Sequence, residues 1–224
     1  MKLFLFDIDG TLIKPVGVGQ RAAEKAFYNL YGISGIMDGL RTDGKTDPLI
    51  LREMFQKAFK RNYYENEQEE FYLEYINCLK SELNSVKILD VLPGVVDLLD
   101  DLESMPDILL AVGTGNIETG AWLKLEYAGL KKYFQFGGFG SDSEDRDKLL
   151  RMAVVKGRMR YNNNHNFERI FVIGDTPNDI IYGRKVGAET IAVASGLYSK
   201  DELKDHKPNL LLDRLDNSFI LNHI

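Results

Sequence analysis

Apolar residues run along this chain in two rhythms. Leu3 to Phe6 is a short unbroken apolar run that ends at Asp7-Ile8-Asp9-Gly10-Thr11, the pattern of a buried strand. From about residue 14 to 91 the strand signal stops. Val18 to Tyr31 places Ala23, Phe27, Leu30 and Tyr31 at helical steps, with Gly32 as the stop. Asp47-Pro48 reads as an N-cap followed by proline at the first helical position, in a helix running through Leu51, Met54, Phe55, Ala58 and Phe59. Glu67 to Leu83 predicts a third helix on Phe71, Ile76, Leu79 and Leu83. After residue 92 strands and helices alternate. Val95–Leu102, Trp122–Gly129, Arg146–Arg160 and Ile180–Val186 read as helices. Ile108–Val112, Phe134–Phe136, Arg169–Ile173, Glu189–Ala194 and Leu210–Leu212 read as strands, and Tyr161–Asn166 as a polar turn. This alternation predicts an α/β fold, a parallel sheet with helices on both faces. Residues 1–13 and 92–224 are expected to form that core, and 14–91 a small all-helical domain inserted after the first strand.

The chain has 224 residues, 44% apolar and 28% charged. That is ordinary for a globular protein and excludes disorder or a disulfide scaffold. The single cysteine, Cys78, allows no internal disulfide and is expected to be a buried apolar group. An acid interrupts the N-terminal apolar run too early for a secretory leader, and no apolar run approaches a membrane span. A cytoplasmic protein with no membrane partner is therefore expected. The net charge of −6 gives no support for a nucleic-acid-binding face. The excess acid is localised. Residues 14–91 carry 11 basic and 12 acidic groups, and the rest of the chain carries 17 and 22.

The chemistry gathers at predicted strand ends, where ligands of open parallel sheets sit. The first strand ends in Asp7 and Asp9, which share a face of an extended segment while Ile8 points to the core. The Ile108–Val112 strand leads to Thr114, Gly115 and Asn116, and Arg169–Ile173 to Asp175, Asn178 and Asp179. Four carboxylates in one cleft stay ionised only around a cation. Oxygen-only ligands suit Mg²⁺ bound with water and a substrate phosphate. His165, His206 and His223 have no metal spacing, so Zn²⁺ is not expected. Thr114 and its glycine-rich turn supply phosphate donors at a helix start. Asn116 reads first as a cap of the following helix.

Asp7-Ile8-Asp9-Gly10-Thr11-Leu12 resembles the first motif of the haloacid dehalogenase superfamily, and Gly174-Asp175-Thr176-Pro177-Asn178-Asp179 its fourth. Thr114 is similar to the second. The inserted helices resemble the cap of its phosphoglycolate phosphatase and β-phosphoglucomutase branch. The resemblance implies a Rossmann-like core and a Mg²⁺-dependent phosphatase acting on a small phosphorylated metabolite. It makes Asp7 the nucleophile and Asp9 the general acid and base, with Thr114 holding phosphoryl oxygens. Asp7, the backbone carbonyl of Asp9, and Asp175 would ligate the metal, with Asp179 a ligand or an acceptor behind it. The third motif departs from the usual Lys-Pro. Arg146 and Lys148 are its candidates, and Ser-Glu-Asp-Arg-x-x-Leu favours Arg146. Gly44-Lys45-Thr46-Asp47 resembles the cap's specificity loop, so Lys45, and less strongly Arg21, is a candidate for a second anionic group on the substrate; Lys45 reads equally as a solvated lysine.

The rivals are a sugar-phosphate phosphomutase of the same fold, a dehalogenase and a non-catalytic binding module. The second aspartate argues against the dehalogenase, and the full set of motif acids against the binding module. Isolated Asp-x-Asp-Gly as a Ca²⁺ loop fails, because Lys14, Val16 and Val18 stand where further ligands are needed. Gly113-x-Gly115 lacks the rest of a dinucleotide fingerprint. The tyrosines and phenylalanines of 28–75 read mostly as packing of the helical insertion. Substrate identity and oligomeric state are not written in the sequence.

Overall fold

The computed structural model describes residues 1–86, 89–160, 166–215 and 217–223. The predicted turn at Tyr161–Asn166 lies, except for Asn166, outside the described residues. Six parallel strands form one sheet: β1 (Lys2–Phe6), β2 (Ile108–Gly113), β3 (Gly137–Gly138), β4 (Arg169–Gly174), β5 (Glu189–Val193) and β6 (Leu210–Leu212). Their order is β3-β2-β1-β4-β5-β6. β1 is central, with Phe4 in register with Leu110 on one side and Phe171 on the other. The strand order reverses between β1 and β4, the place where an open parallel sheet leaves a crevice at its carboxyl edge.

β1 shows why the sheet is buried on both faces. Its side chains alternate, so Leu3 and Leu5 pack with Leu149, Leu150 and Ala153, while Phe4 and Phe6 face the opposite layer. Around the sheet lie α4 (Val95–Glu103), α5 (Glu118–Tyr127), α6 (Arg146–Arg160), α7 (Pro177–Lys185), α8 (Lys200–Asp205) and α9 (Asn217–Leu221). Between β1 and α4 come α1 (Val18–Tyr31), α2 (Asp47–Phe59) and α3 (Glu65–Val86). Their inner faces form one continuous buried cluster with the Phe4 and Phe6 face of the sheet. Phe27 is fully buried within it, its ring 4.7 Å from Tyr31, 5.6 Å from Phe55 and 6.4 Å from Phe71. Phe27→Ala should cost about 3–5 kcal/mol through lost burial and the cavity left behind, read as a lowered midpoint in denaturant unfolding. Among the described residues no helix is long and apolar enough to cross a membrane.

Several boundaries differ from expectation for physical reasons. The predicted strand at Phe134–Phe136 is instead Gly137–Gly138. Both phenylalanines are buried, but the ladder to Val112 and Gly113 forms at the glycines. A Cβ on Gly138 would lie 1.9 Å from the Leu149 carbonyl oxygen, so the strand abuts α6 only without a side chain. Asp47 does not cap α2. Thr46 is the N-cap residue, and the Asp47 carboxylate accepts from the Ile117 amide at 2.8 Å. α5 and α7 begin earlier than their apolar spacing suggests. At α7 this follows from a Thr176–Asp179 capping box with proline in the first turn. α8 escaped prediction because Leu203 is its one buried residue.

Candidate active site

β1 delivers Asp7 directly. Its amide continues the ladder, donating to the Ile173 carbonyl at 2.9 Å. Ile8 is fully buried behind it, and Asp9 returns to the same side, partly open to a cavity of about 330 Å³. Gly10 then takes φ +86, a conformation L side chains avoid, and starts the turn that closes at Ile13. The ends of β2 and β4 flank this turn with Thr114 and Asp175, both buried.

Asp175 is wedged between backbones. Thr11 Oγ1 donates to its Oδ1 at 3.1 Å. A Cβ on Gly10 would come within 2.3 Å of its Oδ2, and one on Gly196 within 1.7 Å, so both positions must be glycine for the carboxyl to sit there. Asp179 closes the group. Its Oδ2 accepts from the Thr176 amide at 3.0 Å and hydroxyl at 2.7 Å, and its Oδ1 is paired with Arg146. Carboxylate oxygens of Asp7, Asp175 and Asp179 lie within 4.8 Å of one another. Burial is the main force pushing Asp7 up to about 7, with Asp179 and Asp9 adding to it and Arg146 and the Thr114 hydroxyl opposing it. Burial, then Asp7 and Asp179, hold Asp175 well above the usual carboxylate range. A crowded all-oxygen set with a single guanidinium for compensation fits a hard divalent cation. No histidine or cysteine joins it among the described residues.

Of the two third-motif candidates, only Arg146 reaches the cluster. It is 4% exposed, its Nη2 stands 3.4 Å from Asp7, and its buried Nε has no partner among the described residues. Lys148 points to solvent and pairs with Asp145 at 2.6 Å; it does not line the cavity. Gly115 and Lys45 do line it, but Lys45 Nζ donates to both Glu53 oxygens, at 2.6 and 2.7 Å. Arg21 is committed to Glu82 at 2.6 Å and the Val16 carbonyl.

Two roles were not anticipated. Asn116 does not cap α5. Its Nδ2 donates to Thr114 Oγ1 at 2.8 Å and to Asp9 Oδ2 at 2.9 Å. Lys124, 3% exposed on α5, donates to the same Asp9 oxygen at 2.6 Å and to Asn116 Oδ1 at 2.7 Å. The visible signal was a lysine between Ala121 and Leu125 on the inward face of the helix. Besides the Ile117–Asp47 contact, the 44–47 segment is latched over the site by four further polar contacts. Asp47 N donates to the Gly115 carbonyl at 2.8 Å and Thr46 Oγ1 to the Glu144 carbonyl at 3.0 Å. Asn178 Nδ2 and Arg146 Nη1 both donate to the Gly44 carbonyl, at 2.9 and 3.4 Å.

A haloacid dehalogenase-like hydrolase family model matches residues 1–187. Two curated relatives are each 26% identical. One is "Probable phosphatase IndB" of Dickeya dadantii, the match covering 94% of this chain and 89% of that protein. The other is "Phosphoglycolate phosphatase" of Aquifex aeolicus, at 100% and 99%. The crystal structure of a hydrolase from Pseudomonas syringae superposes with a TM-score of 0.72 at 21% identity, covering 100% of this chain and 99% of that one.

Proposed function

Because the chain belongs to the haloacid dehalogenase-like hydrolase family, we propose that it is a Mg²⁺-dependent phosphatase of small phosphomonoesters, working through a phosphorylated Asp7. The observation that carries this is the meeting of Asp7, Asp9, Thr114, Arg146 and Asp175 at one sheet edge, two carboxylates just past the end of β1 facing two phosphate-type donors and an acidic cluster. Two curated relatives with phosphatase names support it.

Asp7 and Asp175, with the Asp9 carbonyl, would hold the metal, which supplies charge neutralisation for the transferring phosphoryl group. Both Asp179 oxygens already take protein donors, which suits an acceptor that anchors Arg146. An Asp7 oxygen attacks phosphorus, and the ester P–O bond breaks with its electron pair going to the leaving oxygen. Asp9 gives that oxygen its proton. Lys124 and Asn116 both bind Asp9 Oδ2, so they fix the carboxyl and leave Oδ1 as the proton-carrying atom. Water then attacks phosphorus, Asp9 takes its proton, and the acyl-phosphate bond breaks to return the Asp7 carboxylate. Arg146 and the Thr114 hydroxyl stabilise charge on the phosphoryl oxygens.

Residues 1–13 and 92–224 would act as the catalytic core and residues 14–91 as a cap, whose 44–47 loop roofs the phosphoryl site. The test is hydrolysis of acetyl phosphate and p-nitrophenyl phosphate. Chelation of divalent ions should lower the rate by at least about 100-fold, and Mg²⁺ should restore it. A rate indifferent to chelation would contradict the metal assignment. With a hexose phosphate, release of inorganic phosphate supports the phosphatase, whereas an isomeric sugar phosphate would support a phosphomutase.

A further inference from the structure

The cavity lining joins two kinds of surface. Asp7, Asp9 and Thr114 supply polar groups, while Ala23, Ile50, Leu51, Met54 and Phe71 from α1, α2 and α3 supply apolar ones, as does Leu197, 72% exposed. Among the described residues three cationic side chains line the cavity, and each is already paired. Arg146 is held by Asp7 and Asp179, Lys124 by Asp9, and Lys45 by both oxygens of Glu53. Asp43 and Asp47 add negative charge to the lining. Burial pushes the Asp47 carboxyl up to about 6, a sign of how poorly this region solvates charge.

We infer that the alcohol half of the substrate carries no second charge and presents an apolar surface of about one aromatic ring. This rests on the phosphatase reading and adds the substrate class to it. Beyond the phosphoryl group, a carboxylate or second phosphate would lose its water and meet no unpaired cation. An apolar group would instead replace water against aromatic and aliphatic side chains. A volume of about 330 Å³ holds one compact ring with its phosphate. The name of the Aquifex aeolicus relative gives it a substrate with a carboxylate beside the phosphate; in this chain Lys45, the candidate for such a group, is already paired with Glu53.

Benzyl phosphate and 2-phosphoglycolate test this directly, since both are esters of primary alcohols and differ in the second charge. Acetyl phosphate serves as a phosphoryl donor that needs no apolar wall. In Mg²⁺, kcat/KM for benzyl phosphate should exceed that for 2-phosphoglycolate by about 100-fold or more. Glu53→Gln releases the Lys45 charge and should narrow that ratio about tenfold. If acetyl phosphate is hydrolysed and 2-phosphoglycolate matches or exceeds benzyl phosphate, the inference is overturned while the phosphatase stands. A ratio unmoved in Glu53→Gln also overturns it, because paired charge is then not what excludes the carboxylate. If none of the three phosphates is hydrolysed, the phosphatase reading falls and the substrate class falls with it.

Discussion

Asp7→Asn should lower phosphatase turnover by at least about 10⁴-fold while the protein stays folded. The amide keeps the shape of the carboxyl but cannot form the acyl phosphate, and neither Asp9 nor Asp175 takes its place at the end of β1. The substitution is also expected to leave the melting temperature unchanged or raise it. Asp7 is buried among like charges, and burial already pushes its carboxyl up to about 7. A neutral amide removes that repulsion, so function and stability pull in opposite directions at this position. Turnover near the wild-type level, measured with acetyl phosphate beside a thermal melt, would contradict the nucleophile assignment.

Arg146→Ala should cost about 10³-fold in kcat/KM, whereas Lys148→Ala should stay within about twofold. Both residues start the same helix, two positions apart, yet their surroundings differ completely. Arg146 is buried beside Asp7 and Asp179, and Lys148 is exposed on Asp145. Removing the buried guanidinium also leaves the carboxylates uncompensated, a loss of about 3–5 kcal/mol for a broken buried pair. Arg146→Lys therefore belongs beside it. The lysine keeps the charge without the planar fork, and should recover stability more fully than activity. Equal losses in the Arg146 and Lys148 alanine variants would contradict the placement.

The parts of this site that could be read in the sequence are those fixed by local pattern. The apolar run of β1 ends at its carboxylates because a buried strand must stop where charge begins. α1 and α6 kept their expected limits, Val18–Tyr31 and Arg146–Arg160, the first because Gly32 takes φ +68 as its stop. What escaped was set by tertiary partners. Asn116 and Asp47 each looked like a cap for its own helix, but each finds its partner across the site. Lys124 sat unremarked within a helix, since nothing local shows that its inward face meets Asp9. β3 was misplaced by a few residues because its position depends on how closely α6 approaches Gly138. Lys45 reads in the sequence as either a substrate cation or a solvated lysine, and Arg21 as a weaker candidate; their pairing with Glu53 and Glu82 depends on where the chain folds those acids and has no local signal.

The covalent step at Asp7 is central, and one measurement reaches it directly. Asp9→Asn should still accept a phosphoryl group from acetyl phosphate in Mg²⁺, because that donor's leaving group needs no acid, but should lose it slowly for want of a base. Rapid acid quench and peptide mass spectrometry should then find one phosphoryl group on the peptide that carries Asp7, lost on treatment with hydroxylamine. Phosphate release from wild-type enzyme with no phosphoryl group on Asp7 in the variant, or a label on another residue, would contradict the mechanism.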